Sequence, residues 1–237
     1  MLELLYLIFI FPVEWVIGVV FQAAYAVTSS YGMAIISLAI VINIVLIPFY
    51  HLAEKWQTSE RQIRNRLRPY IEEITAIYQG QERHMMLRTL YRQNNYHPIM
   101  AMRASLGLLI QIPFFVGAFK YLWELDAING VAWGPFLNLG EPDGLLSAFG
   151  VDINLMPFVM TAVNLVSTFI YSRRLEKREK IQLYVLSGIF FVLLYTAPVA
   201  LVFYWTLNNL LSILKNWIYE RFNIFDPRGR TNEISGS

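Results

Sequence analysis

Five amide side chains, Asn43, Gln111, Asn164, Asn208 and Asn209, break stretches of sequence that are otherwise almost wholly apolar. With the hydroxyls Ser187, Thr206 and Ser212 they form a set whose chemistry is hydrogen bonding: neutral donors and acceptors that can stand in for water around a polar group. In hydrocarbon such groups lose their bonds to water, so they must turn toward one another or toward a wet cavity. Counted at about 1.5 Å per residue from the basic end of each stretch, Asn43 and Gln111 lie roughly 10 Å in, Asn164 about 12 Å, Asn208 and Asn209 about 14 to 15 Å, and Ser187 and Ser212 about 9 Å. The shared depth predicts a polar pocket. Interhelical glue, in which the amides bond across helices and enclose nothing, accounts for them equally well. The outer half carries only hydroxyls, chiefly Ser37, Thr161 and Thr206.

A second set is cationic. Arg61, Arg64, Arg66, Arg68, Arg83, Arg88 and Arg92 crowd one segment, where they form either a basic contact surface or a solvated face on one side of a membrane. Catalysis finds no support. There are no cysteines, and His51, His84 and His97 lack metal-ligand spacing. No GxSxG, HExxH, Walker or dinucleotide motif occurs, and no Asp, Glu or His lies in mid-span to relay protons. The expectation is a protein that is not an enzyme and has no metal or cofactor.

Positioning these groups takes membrane-crossing helices. With 56% hydrophobic and 15% charged residues, the chain has too much apolar surface for a soluble domain. A hydrocarbon core about 30 Å thick asks for roughly 20 helical residues per crossing. Segments 31–50, 104–123, 153–172, 181–197 and 199–218 meet that length. The predicted fold is therefore an all-α integral membrane protein with five transmembrane helices, an outer-face amphipathic helix and a cytoplasmic helical hairpin. Its parts are an apolar, interfacial N-terminal helix (1–28, with a sixth span as the alternative), span one (29–50), the hairpin (51–98), span two (99–123), an extracytoplasmic loop (124–152), spans three to five (153–218) and a cytoplasmic tail (219–237). In the hairpin, Ile63, Leu67, Ile71, Ile74 and Tyr78 keep a helical period, Gln79-Gly80-Gln81 breaks it, and Met86, Leu87, Leu90 and Tyr91 resume it. Pro48 is expected to end span one. The loop, with Asn129-Gly130, Gly134-Pro135 and Pro142-Asp143-Gly144, should carry little regular structure. Trp123 and Trp133 are expected at the outer interface, Trp56 and Trp217 at the inner.

Charge sets the sidedness. Of 19 Lys and Arg residues, all but Lys120 fall in three segments, Lys55 to Arg103, Arg173 to Lys180 and Lys215 to Arg230. Basic residues near span ends stay cytoplasmic, so these segments should share one face, with the C-terminus among them. Glu124, Asp126, Glu141, Asp143 and Asp152 mark the opposite face. The net charge of +2 conceals this asymmetry.

Particular runs resemble the YidC/Oxa family of membrane protein insertases. They are Phe11-Pro12 and Trp15, a span opening Tyr31-Gly32 and closing Leu46-Ile47-Pro48, and Leu108-Leu109-Ile110-Gln111-Ile112-Pro113-Phe114. Leu67-Arg68-Pro69 in the hairpin and Pro198 with Leu201-Val202-Phe203-Tyr204-Trp205 and Asn209-Leu210 in the last span extend the match over nearly the whole chain. The resemblance implies a multi-pass protein of the bacterial cytoplasmic (inner) membrane that inserts and helps fold client helices through a polar groove open to cytoplasm and lipid. It implies nascent membrane proteins and the lipid bilayer as partners, the ribosome and Sec translocon as further ones, and no DNA, with the seven hairpin arginines Arg61, Arg64, Arg66, Arg68, Arg83, Arg88 and Arg92 as the client or ribosome contact. Family insertases commonly carry an arginine in the first span, and the aligned position here is Asn43. That departure predicts clients of low charge or a mainly chaperoning role. Two other classes fit the same amides: a non-catalytic assembly subunit, and a small-solute transporter, although repeats and mid-span charges are missing.

Overall fold

The computed structural model describes residues 2–97, 99–100, 106–148, 151–172 and 177–221. Pro98, Arg103, Arg173, Arg174 and the tail from 222 onward lie outside the described residues. The elements in chain order are α1 (Leu2–Leu5), a π-helical turn (Tyr6–Ile10), α2 (Phe11–Thr28), α3 (Tyr31–Ile77), α4 (Gly80–Gln93), α5 (Leu106–Trp123), β1 (Leu146–Ala148), β2 (Val151–Ile153), α6 (Met156–Ser172), α7 (Lys177–Leu194) and α8 (Val199–Arg221). They divide into two units, Met1–Ile44 with Pro113–Ser237, and Val45–Ile112.

Helix α3 does not stop at Pro48. It runs through both Pro48 and Pro69 to Ile77. Proline's fixed φ is itself helical, and the ring costs one backbone hydrogen bond, a loss a long helix absorbs when the flanking residues favour the same state. The chain breaks at Gln79, whose backbone is extended, and resumes as α4.

In the larger unit, α6 packs against both α7 and α8. Ala34, Ile35, Leu38, Ala39 and Ile42 of α3 are buried, whereas Ile40, Val41 and Ile44 on the other face are exposed, the stripe of a helix with one apolar neighbour and one apolar solvent. Helix α2 buries Ile17, Gly18 and Phe21 and exposes Phe11, Trp15 and Val19. It approaches α5 closely because Gly117 has no side chain: a Cβ there would meet Val13, the Glu14 backbone nitrogen and Ile17 at 3.2–3.4 Å. One turn on, Lys120 reaches back to α2, where its Nζ lies 3.3 Å from Glu14 Oε2, donates to Tyr6 Oη and sits 4.6 Å from the centre of the Tyr6 ring. The one basic residue outside the three basic segments is thus matched by an acid.

The 124–152 loop is more ordered than its turn residues predict. It contains the β1–β2 hairpin and a short 3-10 turn (Asp126–Ile128), and it caps two helix ends. Val199 N and Ala200 N at the start of α8 donate to Glu141 O (2.8 Å) and Leu139 O (3.0 Å). The Asp143 carboxylate accepts from Leu155 N (2.7 Å) and Met156 N (3.2 Å) at the start of α6. Both contacts satisfy amides that have no partner within their own helix. Asn154 accepts from Gly144 N and donates to Tyr195 O, just beyond the end of α7. Trp133 also has partners within the protein. Its ring packs on Phe203 at 5.3 Å and so closely over Gly32 that any side chain there would overlap it.

Candidate functional site

Helices α3 and α8 bring two of the five amides into contact. Asn43 Nδ2 donates to Ala39 O at 2.8 Å and to Asn208 Oδ1, while Asn208 Nδ2 donates to Tyr204 O at 2.8 Å. Both amide hydrogens of Asn43 are thereby committed, which leaves its oxygen to accept. Asn209, the next residue on α8, is half-buried, and its Nδ2 is enclosed without a hydrogen-bond partner among the described residues. Asn164 and Ser212 are half-buried on α6 and α8. The hydroxyls look inward: Ser187 Oγ donates to Leu183 O (3.0 Å), Thr206 Oγ1 to Val202 O (2.7 Å) and Thr161 Oγ1 to Pro157 O (2.8 Å). Each is bonded one turn back along its own helix, which hides its polarity without a partner helix. Gln111 falls in the other unit and is half-buried on α5.

One turn from Asn208 and Asn209 toward the start of α8 stands an aromatic cluster that the sequence reading did not single out. Trp205 meets Phe115 of α5 edge-on at 4.6 Å and Phe190 of α7 at 4.8 Å, and the two phenylalanines lie 4.9 Å apart. Trp205 is only 5% exposed, and its Nε1 has no partner among the described residues. Three helices therefore meet around rings large enough to exclude water. Trp205 is visible in the sequence, but its two partners come from helices far away in the chain.

In the smaller unit the arginines separate into roles. Arg66 and Arg83 are exposed and Arg61 is half-buried. Arg68 pairs with Glu72 at 2.9 Å in solvent. Arg64 approaches Glu60 at 3.9 Å, and Glu60 is 1% exposed. Tyr96 Oη donates to Glu60 Oε1 at 3.0 Å. Burial, reinforced by that bond to a carboxylate, pushes the Tyr96 phenol up to about 12. Arg64 thus belongs in part to an internal cluster rather than a landing face. The spacing Ala53, Gln57, Glu60, Arg64, Leu67 held the signal: an acid falls on a stripe whose other described members are buried or half-buried. Arg88 and Arg92 line a cavity of about 530 Å³ with His84, Leu87, Tyr91, Asn95, Tyr96 and His97.

Among the described residues, two stretches are long and apolar enough to cross a bilayer, Tyr6–Thr28 and Tyr31–Ile77, with mean hydropathy 2.0 and 2.5 over their most apolar windows, and shorter apolar helices lie within α5 to α8. Residues 23–226 match the profile of a family described as the 60Kd inner membrane protein. The chain belongs to this family, that of the YidC/Oxa insertases. The membrane protein insertase YidC of Treponema denticola is 27% identical over 231 residues, which cover 90% of this chain and 38% of that one. The YidC of Chlamydia trachomatis is 26% identical over 87% of this chain and 27% of its own. The YidC/Oxa chain thus spans about a third of the length of these curated relatives. A crystal structure of an active YidC insertase with its first transmembrane domain resolved has the same fold, at a TM-score of 0.55 and 21% identity over 90% of this chain and 46% of that one.

Proposed function

We propose that this YidC/Oxa chain inserts and helps fold client helices, spanning the inner membrane several times with its C-terminus in the cytoplasm and offering the amides of α3, α6 and α8 to the polar part of an incoming segment. The carrying observation is the pairing of Asn43 with Asn208 beside an enclosed Asn209 amide that has no partner among the described residues, in a chain whose relatives are named insertases. Each Asp, Lys or Arg dragged to the bilayer centre costs about 2.5–3.5 kcal/mol. Relieving one such charge accelerates crossing about a hundredfold, because every 1.36 kcal/mol is roughly tenfold in rate. No nucleotide is needed for that gain. Asn43 offers an acceptor where many relatives carry a cation, so the groove favours clients with little acidic charge. The hairpin arginines Arg61, Arg66 and Arg83 supply the approach for the client or the ribosome, and the Sec translocon is a further partner.

The test is insertion of a single-span client into liposomes containing the purified chain, read by protease protection, with Asn209→Leu and the pair Asn43→Leu, Asn208→Leu as variants. Loss of insertion with folding retained supports the groove. Insertion no faster than into protein-free liposomes removes it. One observation favours a second reading, an assembly subunit: Asn43 and Asn208 already satisfy each other across two helices, as glue does. Depletion that removes one membrane complex and spares other clients would favour it.

A further inference from the structure

Helix α2 is fastened to α5 by polar groups more than by apolar area. It buries only Ile17, Gly18 and Phe21, and it leaves Phe11, Trp15 and Val19 exposed. In lipid an apolar face gains nothing by leaving hydrocarbon, so adhesion between two such helices comes from close packing and from hydrogen bonds. Close packing is confined to the crossing, where Gly117 admits Val13, Glu14 and Ile17, and Gly18 lies against the Tyr121 ring. The hydrogen bonds gather in one cluster. Tyr6 Oη donates to Glu14 Oε2, and Lys120 Nζ donates to Tyr6 Oη and stands 3.3 Å from the same carboxylate oxygen.

The backbone is adapted to this cluster. Tyr6 and Glu14 are eight residues apart, which in an unbroken α-helix is about 80° around the axis and so places the two side chains on different faces. The π-helical turn Tyr6–Ile10 holds more residues per turn and brings Tyr6 round toward the Glu14 face. The other end of α2 has the geometry of a pivot. Its C-cap, Ser29, has φ +51°, a left-handed conformation unusual for serine, and α3 begins only two residues later at Tyr31, whose ring stacks on Tyr25 at 4.2 Å. Helix α2 thus has a stacked hinge beyond Thr28 and a clasp at Glu14. The side chains of Lys120 and Glu14 keep 36% and 21% of their surface accessible, so the clasp can exchange its partners for water without first breaking the crossing. An element with few buried contacts and a reachable fastening belongs to the least stable part of a fold, the part from which moving segments are drawn.

We propose that α2 is a releasable strap: the Tyr6–Glu14–Lys120 clasp holds it across α5, and it swings away about Ser29 during insertion. The inference rests on the insertase reading for its timing, and the clasp itself is tested apart from insertion.

The chain has no cysteines, so Val13→Cys with Gly117→Cys introduces a single disulfide across the crossing. The sulfur at position 13 takes the place of Val13 Cγ1, which lies 3.2 Å from a Cβ at position 117. In the liposome assay the oxidised variant should insert a single-span client at least about tenfold more slowly than the parent, and a thiol reductant should restore the rate. A staple elsewhere, Leu146→Cys with Ile153→Cys across the paired strands, should leave insertion within about twofold of the parent. Without any client, hydrogen exchange of residues 11–28 in nanodiscs should accelerate at least about tenfold on Tyr6→Phe with Glu14→Gln, with α8 unchanged, whereas Lys120→Arg should stay near the parent. Full insertion with the disulfide closed, failure of the reductant to restore it, equal loss from the Leu146–Ile153 staple, or exchange in residues 11–28 indifferent to the clasp variant would each overturn the proposal. If the closed disulfide leaves insertion intact, the strap falls and the insertase reading stands. If the parent itself inserts no client, the insertase reading falls and takes the strap's role in insertion with it, and the exchange measurement alone decides whether the clasp holds α2.

Discussion

The pairing of Asn43 and Asn208 makes a quantitative demand. Leucine is close in size to asparagine, so Asn43→Leu and Asn208→Leu remove the amides while keeping the volume of the α3–α8 contact. Asn43→Leu deletes the donors to Ala39 O and to Asn208; Asn208→Leu deletes the acceptor and the bond to Tyr204 O. The bonds to Ala39 O and Tyr204 O lie within one helix, so they cancel in a double-mutant cycle, and the interhelical bond alone remains as the coupling energy. Measured couplings of this kind in membranes average about 0.6 kcal/mol and reach about 1.7. At about 1.36 kcal/mol per decade, that corresponds to roughly a threefold to twentyfold non-additivity in the unfolding equilibrium. The assay is reversible unfolding of the purified chain in mixed micelles, followed by near-UV circular dichroism for the parent, both single variants and the double. Sites that do not interact still deviate from additivity by about 0.3–0.5 kcal/mol. A coupling of about 0.3 kcal/mol or less would refute the reasoning, because it would mean the two amides stand apart in the folded protein.

Gly32→Ala should destabilise the larger unit by about 1–3 kcal/mol, because the new methyl overlaps the Trp133 ring, and Trp133→Leu should restore part of the loss in thermal unfolding. Tyr96→Phe removes the donor to a buried carboxylate and should cost about 1.5–3 kcal/mol, read by hydrogen exchange in α4. The Tyr96 phenol is raised from 10.0 to about 12 in the folded chain, so its contribution is complete below pH 10 and fades as pH climbs toward 12, whereas the Phe variant should lack that dependence. Glu14→Gln leaves Lys120 without its carboxylate and should lower the thermal midpoint slightly, whereas Lys120→Met in the same background should recover it. Asn43→Arg should raise insertion of an acidic-tailed client; no gain would count against a role for charge at that position.

Much of the helical layout was legible in the sequence because apolar length and basic clustering act locally. Stretches such as 104–123 and 199–218 can satisfy their backbone only as helices, and the ends predicted from composition fall close to those of α5 and α8. Pro48 misled because a proline signals a break only when the neighbours are indifferent, and here α3 continues on both sides of it. The loop misled for a different reason. Its Gly and Pro residues do form turns, but Asp143, Asn154 and the carbonyls of Leu139 and Glu141 gain order by completing the ends of α6, α7 and α8, and those ends are distant in sequence.

The candidate site divides in the same way. Which residues are polar within apolar stretches, and which segment is basic, follow from the order of amino acids alone, since the penalty for an unpaired amide in hydrocarbon does not depend on the partner. Which amide meets which does depend on it. Asn43 and Asn208 are separated by most of the chain, Trp205 finds Phe115 and Phe190 on two other helices, and Glu60 is closed over by Tyr96 from beyond α4. Periodicity assigns each residue a face of its own helix, but only the packing of one helix on another decides what that face touches, and so whether an amide is held, enclosed or left open to a partner.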